Sequence, residues 1–299
     1  MFYISGFYKF KRISKLKKNK IILQTYFIKN LIKGTIIISN EGINGTLAAK
    51  KKNLKLVLKK IKSTFKFNKF DSINLSQNKF QPFHRGKVKI KKEVVPIGIK
   101  LHKRNLKNQL DPNKWNQLIK NKNTFLIDVR KPFEHKVGTF KRAINPNVNN
   151  FRDFPKYLKN IDKKKSIAMF CTGGIRCEKA SVYLQKKGFN NTYQLKGGTI
   201  NYLKKIKINE SLWKGECYVF DNRISIKHGL ISGSFSMCSG CREPVSNSDK
   251  KSTKYEEGVS CPNCHDNLTK SQKERFRMRQ KQINLAKRLG KKHIFQKEF

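Results

Sequence analysis

Short apolar runs and one amphipathic segment alternate along the first third of the chain. The run FYISGFYKF and the β-branched residues 35–39 have strand composition, and residues 16–31 are long enough for a helix. Residues 53–65 predict an amphipathic helix with Leu54, Val57, Leu58 and Ile61 on one face. Residues 87–95 alternate over their first half, as a half-exposed strand does. This β-α-β-β-α-β order predicts a ferredoxin-like α+β domain over residues 1–98.

Strands and helices alternate again over the middle of the chain. Residues 99–114 are polar, close on Asp111-Pro112 and predict a linker. The apolar runs FLIDV, IAMF and TYQL then predict three strands, each separated from the next by turn residues and helical spacing. Such an alternation predicts an α/β domain over residues 115–212, with a parallel sheet and helices on its faces.

The stretch SIAMFCTGGIRCEKAS joins one of these strands to a helix. Cys171 opens a Gly-rich loop that feeds the helix, so backbone N–H groups and the positive helix end favour its thiolate. Arg176 adds a fixed positive charge to this loop. We interpret Cys171 as a reactive thiolate; the alternative is an ordinary buried thiol. Three roles are open for Cys177: a second redox partner, a resolving thiol, or a small residue that fits.

Two CxxC pairs dominate the last third of the chain. Cys238 and Cys241 are separated by 19 residues from Cys261 and Cys264. Four thiolates with this spacing predict a closed, structural zinc site in a zinc-ribbon-like module over residues 213–267, with His265 surplus. The alternative is two redox-active CxxC pairs. With seven cysteines used in this way, we expect a reducing cytosol.

Charge and hydropathy refine this picture only slightly. The net charge of +49 favours a polyanionic partner, with nucleic acid as the first candidate. However, 13 Arg against 55 Lys, with abundant Ile and Asn, is the profile that an AT-rich genome gives to any protein, so the charge is weak evidence for RNA. No run of 18 apolar residues and no secretory leader is evident, so we expect no membrane association.

Two basic segments are candidates for RNA contact. The segment FQPFHRGKVKIKK mixes aromatic and cationic side chains, which suits base stacking and phosphate contact, although a solvated strand face explains it equally well. Residues 268–299 predict a basic helix or a disordered tail, which lies along phosphates or is merely solvated. The candidate RNA-binding residues are His84, Arg85, Lys87, Lys89, Lys91, Arg275 and Arg277.

The segments DVRKPFEHKVGTFKRAINPN, CTGGIRCEKASVYLQKKGF and YQLKGGTINYL resemble the rhodanese domain. The resemblance makes Cys171 the catalytic, persulfide-carrying position, with Arg176 in the loop and Cys177 as a further candidate. It places Asp128 and Arg130 in the supporting strand; Glu134 also matches, and Thr139 replaces a frequent His. The loop residues that would hold the sulfur are Thr172, Gly173, Gly174 and Ile175. Four residues separate Cys171 from Arg176, against five in related phosphatases, which favours sulfur or redox chemistry.

Three segments extend the resemblance over nearly the whole chain. ISNEGINGTLA with FHRGKVKIKKEVV, CTGGIRCEKAS, and YEEGVSCPNC are together similar to the rhodanese-domain tRNA uridine hydroxylases. The resemblance implies an acylphosphatase-like form of the N-terminal domain and a cytoplasmic oxidoreductase. Its reaction would be O2-dependent hydroxylation of carbon 5 of the wobble uridine, position 34, giving 5-hydroxyuridine.

The implied partners are the tRNA anticodon loop and an electron-donor or sulfur-donor protein. The implied cofactors are O2 as co-substrate and a structural zinc ion; no haem, flavin or nicotinamide fingerprint is evident. Two alternative functions remain. One is a sulfurtransferase that passes a persulfide sulfur to tRNA or a small acceptor, and the other is a catalytically idle RNA-binding module.

Overall fold

The computed structural model describes residues 1–99, 108–158 and 161–291. Its chain divides into two compact units. The first comprises Met1–Cys217 with Lys227–Ile231, and the second Tyr218–Ile226 with Ser232–Phe299. No helix in these described ranges is both long and apolar enough to cross a bilayer.

The N-terminal domain is a five-stranded sheet with two helices on one face. Its elements are β1 (Phe2–Phe10), α1 (Leu16–Lys29), β2 (Lys33–Ser39), β3 (Gly42–Ala49), α2 (Lys51–Thr64), β4 (Ser72–Asn78) and β5 (Gly86–Ile90). The strand order is β4-β1-β3-β2-β5, and only β5 pairs in parallel, with β2. Phe7, Ile36 and Leu47 of the sheet pack against Leu23, Phe27 and Val57 of the helices. The predicted ferredoxin-like order is confirmed, with one strand added at an edge.

The identity of the closing strand is a correction. The pattern predicts residues 87–95 for this position, whereas β4 closes the domain by pairing antiparallel with β1. The pattern misses β4 because its apolar side chains Ile73 and Leu75 are exposed, so its alternation does not mark a core face. Strand β5 is the added edge strand and stops at Ile90.

A parallel sheet forms the middle of the chain, as predicted, but it has four strands rather than the three that the pattern indicates. Its strand order is β6-β10-β9-β7. The elements of this region are β6 (Gln109–Leu110), α3 (Pro112–Lys120), β7 (Phe125–Asp128), α4 (Pro132–Val137), β8 (Gly138–Phe140), α5 (Phe154–Tyr157), β9 (Ile167–Phe170), α6 (Ile175–Lys186), β10 (Thr192–Leu195), α7 (Gly198–Lys205) and β11 (Trp213–Gly215).

Both ends of this region differ from the predicted boundaries. Within the predicted linker 99–114, Gln109–Leu110 pairs with β10, and α3 starts at Pro112, capped by the Asp111 carboxylate. Residues 100–107 of that linker lie outside the described residues. Trp213–Gly215, predicted to open the cysteine-rich module, instead pairs with β8, because Trp213 packs on Phe140 with ring centroids 5.0 Å apart.

Between residues 217 and 291, the described chain holds four two-residue strands and one long helix. They are β12 (Cys217–Tyr218), β13 (Ser225–Ile226), β14 (Ser236–Met237), β15 (Pro244–Val245) and α8 (Lys270–Arg288). Helix α8 begins with a capping box between Thr269 and Gln272. Arg279 of α8 donates to the carbonyls of Ser239 and Gly258, which ties the helix to the cysteine-rich segment. The basic segment is therefore helical over 270–288; residues 292–299 lie outside the described ranges.

Candidate active site and metal centre

Strand β9 positions Cys171 at the carboxyl edge of the parallel sheet. All four residues of β9 are buried between β7 and β10, and the chain breaks into the loop directly after Phe170. Cys171 is 1% exposed, and its Sγ accepts the Gly174 N–H at 3.1 Å. Gly174 has φ +95°, a left-handed conformation that other residues rarely adopt. The loop therefore turns an amide toward the sulfur at the start of α6.

The surroundings of Cys171 stabilise its thiolate. Burial alone raises the pKa of a thiol, because it removes the hydration of the charged form. Here the hydrogen bond from Cys177, the charge of Arg176 and the backbone N–H groups of both outweigh burial, and they lower the pKa of Cys171 to about 6. Burial and the hydrogen bond to Cys171 raise the pKa of Cys177 well above its usual value. At neutral pH, Cys171 is the thiolate and Cys177 the thiol that donates to it.

This arrangement predicts the pH dependence of alkylation. The reactive thiolate forms above the folded pKa and is lost below it, so the iodoacetamide rate at Cys171 should rise with pH through a midpoint of about 6. Cys177→Ala removes a donor to a charged group and should raise that midpoint by about one unit or more. Mass spectrometry of the Cys171 peptide measures the rates. Cys217→Ala is the control, because burial raises the pKa of Cys217 to about 12. A wild-type midpoint at the ordinary thiol pKa would contradict the assignment.

Arg176 is held by Glu134, which the sequence identifies only as a match to the family. The guanidinium makes two parallel hydrogen bonds to the Glu134 carboxylate, at 2.7 and 2.8 Å, and a third to Thr172 Oγ1 at 3.2 Å. Glu134 is fully buried on α4; burial raises its pKa, but Arg176 outweighs that and lowers it. Helix α4, the loop and α6 are thus fastened together around an ion pair whose carboxylate is fully buried and whose guanidinium is 15% exposed.

Asp128, the last residue of β7, and Arg130, which lies two residues beyond the strand rather than in it as predicted, form a second ion pair. Arg130 Nε and Nη2 donate to the two Asp128 oxygens at 2.8 and 2.6 Å. The Arg130 guanidinium also lies over the rings of Phe170 and Trp213, 5.5 and 4.9 Å from their centroids. Thr139 donates to Asp128 at 3.0 Å. The contacts of this pair therefore fix Phe170, the residue that precedes Cys171.

Helix α7 supports the Cys171 loop through contacts that the sequence pattern does not indicate. The Thr199 and Ile200 N–H groups donate to the carbonyls of Cys171 and Thr172 at 2.9 and 3.1 Å. A Cβ on Gly198 would lie 2.5 Å from the Cys171 carbonyl oxygen, so only glycine permits this approach. The signal was the pair Gly197-Gly198, which the pattern marks only as the end of a strand. A Cβ at Gly173, in contrast, would meet no described atom within 4 Å.

Four cysteine side chains in the second unit converge on one point. The sulfur atoms of Cys238, Cys241, Cys261 and Cys264 all lie within 4.8 Å of one another. The sulfur pairs 238–264, 241–261 and 261–264 are separated by 3.8, 3.7 and 3.8 Å. Thiolates placed tetrahedrally at about 2.3 Å from an ion are about 3.8 Å apart, so the cluster can hold a metal ion. His265 is engaged with Asp266 and Lys273 instead.

The predicted RNA-binding residues fall in both units. His84, Arg85, Lys87, Lys89 and Lys91 are exposed on or beside edge strand β5. Arg275 and Arg277 lie on α8 and are exposed, but Arg277 makes a two-point ion pair with Glu256 at 2.7 Å.

Comparison with known proteins defines the class first. Residues 2–94 match the UPF0176 acylphosphatase like domain, and residues 111–205 match the Rhodanese-like domain. The fold and the Cys171 loop thus define a protein in which a rhodanese domain follows an acylphosphatase-like domain.

A full-length relative then defines the family. The tRNA uridine(34) hydroxylase of Pelagibacter ubique (strain HTCC1062) is 69% identical over 300 residues, covering 100% of both chains. The chain belongs to the tRNA uridine(34) hydroxylase family. A solved rhodanese-related protein from Thermoplasma volcanium is 24% identical, over 32% of this chain and 90% of its own, with a TM-score of 0.29. The acylphosphatase from Bacillus subtilis is 13% identical, over 29% of this chain and 98% of its own, with a TM-score of 0.24.

Proposed function

We propose that this protein hydroxylates carbon 5 of the wobble uridine, position 34, of tRNA, with O2 as the oxygen source and Cys171 as the essential thiolate. The observation that carries the proposal is a buried thiolate of lowered pKa, held by loop amides, in a chain that is 69% identical to a tRNA uridine(34) hydroxylase.

The exposed cations near β5 and Arg275 on α8 are the proposed contacts to the anticodon loop. Arg277 is a weaker candidate for phosphate contact, because its guanidinium is already paired with Glu256. The proposed compartment is the cytoplasm.

Hydroxylation of the wobble uridine requires a group that activates carbon 5 of its base. A thiolate that adds to the adjacent carbon 6 makes carbon 5 enolate-like and open to oxidation; the oxidised carbon 5 then loses its proton, and the C6–S bond breaks to free Cys171 again. Alternatively, a persulfide on Cys171 relays to O2 the two electrons that an external donor supplies. In either version one atom of O2 enters the base and the other leaves as water. Two electrons and two protons per O2 are therefore required, which an external thiol-class donor supplies on oxidation to a disulfide. The proposed roles of Gly174, Arg176 and Cys177 are to keep the sulfur anionic.

Isotopic oxygen tests this reaction directly. Purified protein, unmodified tRNA and a dithiol reductant under heavy-isotope O2 should give 5-hydroxyuridine that carries the label, as read by nucleoside mass spectrometry. Label taken from water instead would exclude O2 as the source.

The rhodanese-like loop also suits a sulfurtransferase, because the same backbone N–H groups can hold a persulfide on Cys171. A sulfurtransferase would show thiosulfate:cyanide turnover and a thiolated nucleoside, and an idle RNA-binding module would give neither product.

We also propose that the four-cysteine cluster holds one structural Zn²⁺. Thiolate donors at tetrahedral spacing with no open position favour zinc over a catalytic metal. Elemental analysis should find about one zinc per chain. Cys261→Ser should lose most of it and lower the unfolding temperature of the second unit, whereas Cys217→Ser, outside the cluster, should retain it. A protein free of metal when purified without chelators would contradict this proposal.

A further inference from the structure

Four consecutive residues in the first turns of α6 make polar contacts with four different parts of the molecule. Arg176 pairs with Glu134, and Cys177 donates to Cys171, as described above. The next two residues, Glu178 and Lys179, are 3% and 0% exposed, and their partners include residues of the N-terminal domain. Neither residue has a part in the proposed chemistry.

Lys179 is surrounded by acceptors from outside its own domain. Its ammonium donates to both oxygens of Glu41 at 2.9 and 3.0 Å, to Glu93 at 2.7 Å and to the Val95 carbonyl at 2.8 Å. A buried ammonium needs such a complete set, because each missing partner leaves a desolvated charge. Glu41 also accepts the Val94 N–H at 2.8 Å.

Glu41 is the glutamate of N-E-G-I-N-G, in the turn between β2 and β3. The motif has no role in the chemistry proposed for the loop, yet its carboxylate binds the lysine of C-T-G-G-I-R-C-E-K-A. The two sequence motifs that carried the family resemblance are therefore in direct contact.

Glu178 makes the second connection. Its carboxylate accepts the Tyr8 hydroxyl at 2.6 Å and the Gln109 amide at 3.1 Å. The Tyr8 hydroxyl oxygen lies 3.4 Å from where a Cβ on Gly174 would stand, and Gly174 supplies the amide bound to Cys171 Sγ. Asn74 of β4 donates to the Gly197 carbonyl at 3.1 Å. Strands β1 and β4 thus reach both glycine turns that shape the loop.

We propose that Tyr8 and Glu41 are positioning residues for the Cys171 loop, acting through Glu178 and Lys179, so that the N-terminal domain is an integral part of the catalytic site. The inference rests on the proposed function only in taking Cys171 as the working thiolate.

The effect of these contacts is to fix the position of α6 rather than to stabilise the interface between the two domains. Well-packed apolar residues hold an interface at least as firmly as a buried ion pair does. Charged pairs in the two helical turns beside the sulfur instead fix where α6 begins. The Gly174 amide and the Cys177 thiol sit at that point, and a small displacement of either weakens a hydrogen bond to the thiolate.

The test uses the full-length chain with Tyr8→Phe, Glu41→Gln and Lys179→Met. Tyr3→Phe is the control for the hydroxyl, since Tyr3 lies on the same strand but packs against the helix-side core. Lys9→Met is the control for the lysine, since Lys9 pairs with Asp71 at 2.7 Å within the N-terminal domain. The readouts are the pH midpoint of Cys171 alkylation, kcat and KM for tRNA hydroxylation, and the melting temperature.

Each of the three variants should raise the alkylation midpoint by about one unit, which is about a tenfold loss of thiolate at acidic pH. The same variants should lower kcat with little change in KM, and both controls should match wild type in the alkylation midpoint and in kcat. A lowered melting temperature with an unmoved midpoint and unchanged kcat would overturn the proposal and leave a purely structural tie. Tyr8→Phe removes one hydroxyl and keeps the test decisive if Lys179→Met fails to fold. If the wild type does not hydroxylate tRNA but the variants still raise the alkylation midpoint, the positioning role holds and the proposed function is rejected.

Discussion

Cys171→Ser is expected to abolish hydroxylation of tRNA by the purified protein, with a loss of about a thousandfold or more. Serine places a hydroxyl where the thiolate stood, and a hydroxyl stays protonated at neutral pH, so neither an adduct at carbon 6 nor a persulfide can form. Both versions of the proposed chemistry therefore fail together. The measurement is the yield of 5-hydroxyuridine in digested tRNA after a timed reaction.

Cys217→Ser is the matched control for this loss. Cys217 is also fully buried in the first unit, but burial raises its pKa to about 12, so it is a thiol at neutral pH. Its replacement should leave hydroxylation close to wild type. Activity in Cys171→Ser above about a tenth of wild type would remove Cys171 from the chemistry, since loss of an essential nucleophile is far more damaging than that.

Glu134→Gln is expected to cost about 3 kcal/mol of unfolding free energy, the low end for a buried pair, because it leaves the Arg176 guanidinium, which is 15% exposed, without its counter-charge. The stabilisation that Glu134 provides depends on pH. The pKa of Glu134 is lowered in the folded state, so its contribution is present above the ordinary carboxyl pKa and fades as the pH falls through the lowered value. Urea denaturation curves at neutral and acidic pH measure both the loss and its fading.

A control substitution at a surface carboxylate separates the loss of the Glu134 ion pair from a general loss of negative charge. Asp153 pairs with Lys156 at 3.1 Å on the surface, so Asp153→Asn should cost less than about 1 kcal/mol. Glu134→Gln should also reduce alkylation of Cys171, because Arg176 is no longer held beside the loop. Equal, small losses of stability in both variants would show that the buried pair does not anchor the loop.

What the sequence predicts well is local. The Cys171 loop lies between an apolar strand and a helix that adjoin it in the chain, and each CxxC pair lies within one turn, so spacing alone indicates their geometry. The converse holds for contacts between distant segments. Tyr8 and Glu178 are 170 positions apart, and Lys179 and Glu41 are 138 apart, and no periodicity links them. Glu134 is singled out only by the family resemblance, and its contact with Arg176 is visible only in the fold.

The sequence does not predict β4, or the strand Gln109–Leu110 within the predicted linker, for related reasons. Exposed Ile73 and Leu75 hide β4 because an apolar pattern identifies a strand by the face it buries. Gln109–Leu110 is too short to show any period, and only its pairing with β10 makes it a strand. In both places hydrogen bonding to a neighbouring strand decides the structure.

Nucleoside mass spectrometry of tRNA from cells that lack this gene, and that carry either the wild-type chain or Cys171→Ser, decides whether Cys171 is required to hydroxylate the wobble uridine. We expect 5-hydroxyuridine and its derivatives to disappear without the gene, to return with the wild type and to stay absent with Cys171→Ser. Hydroxylated uridine that persists without the gene, while a thiolated nucleoside follows it instead, would contradict the hydroxylase function and favour a sulfurtransferase.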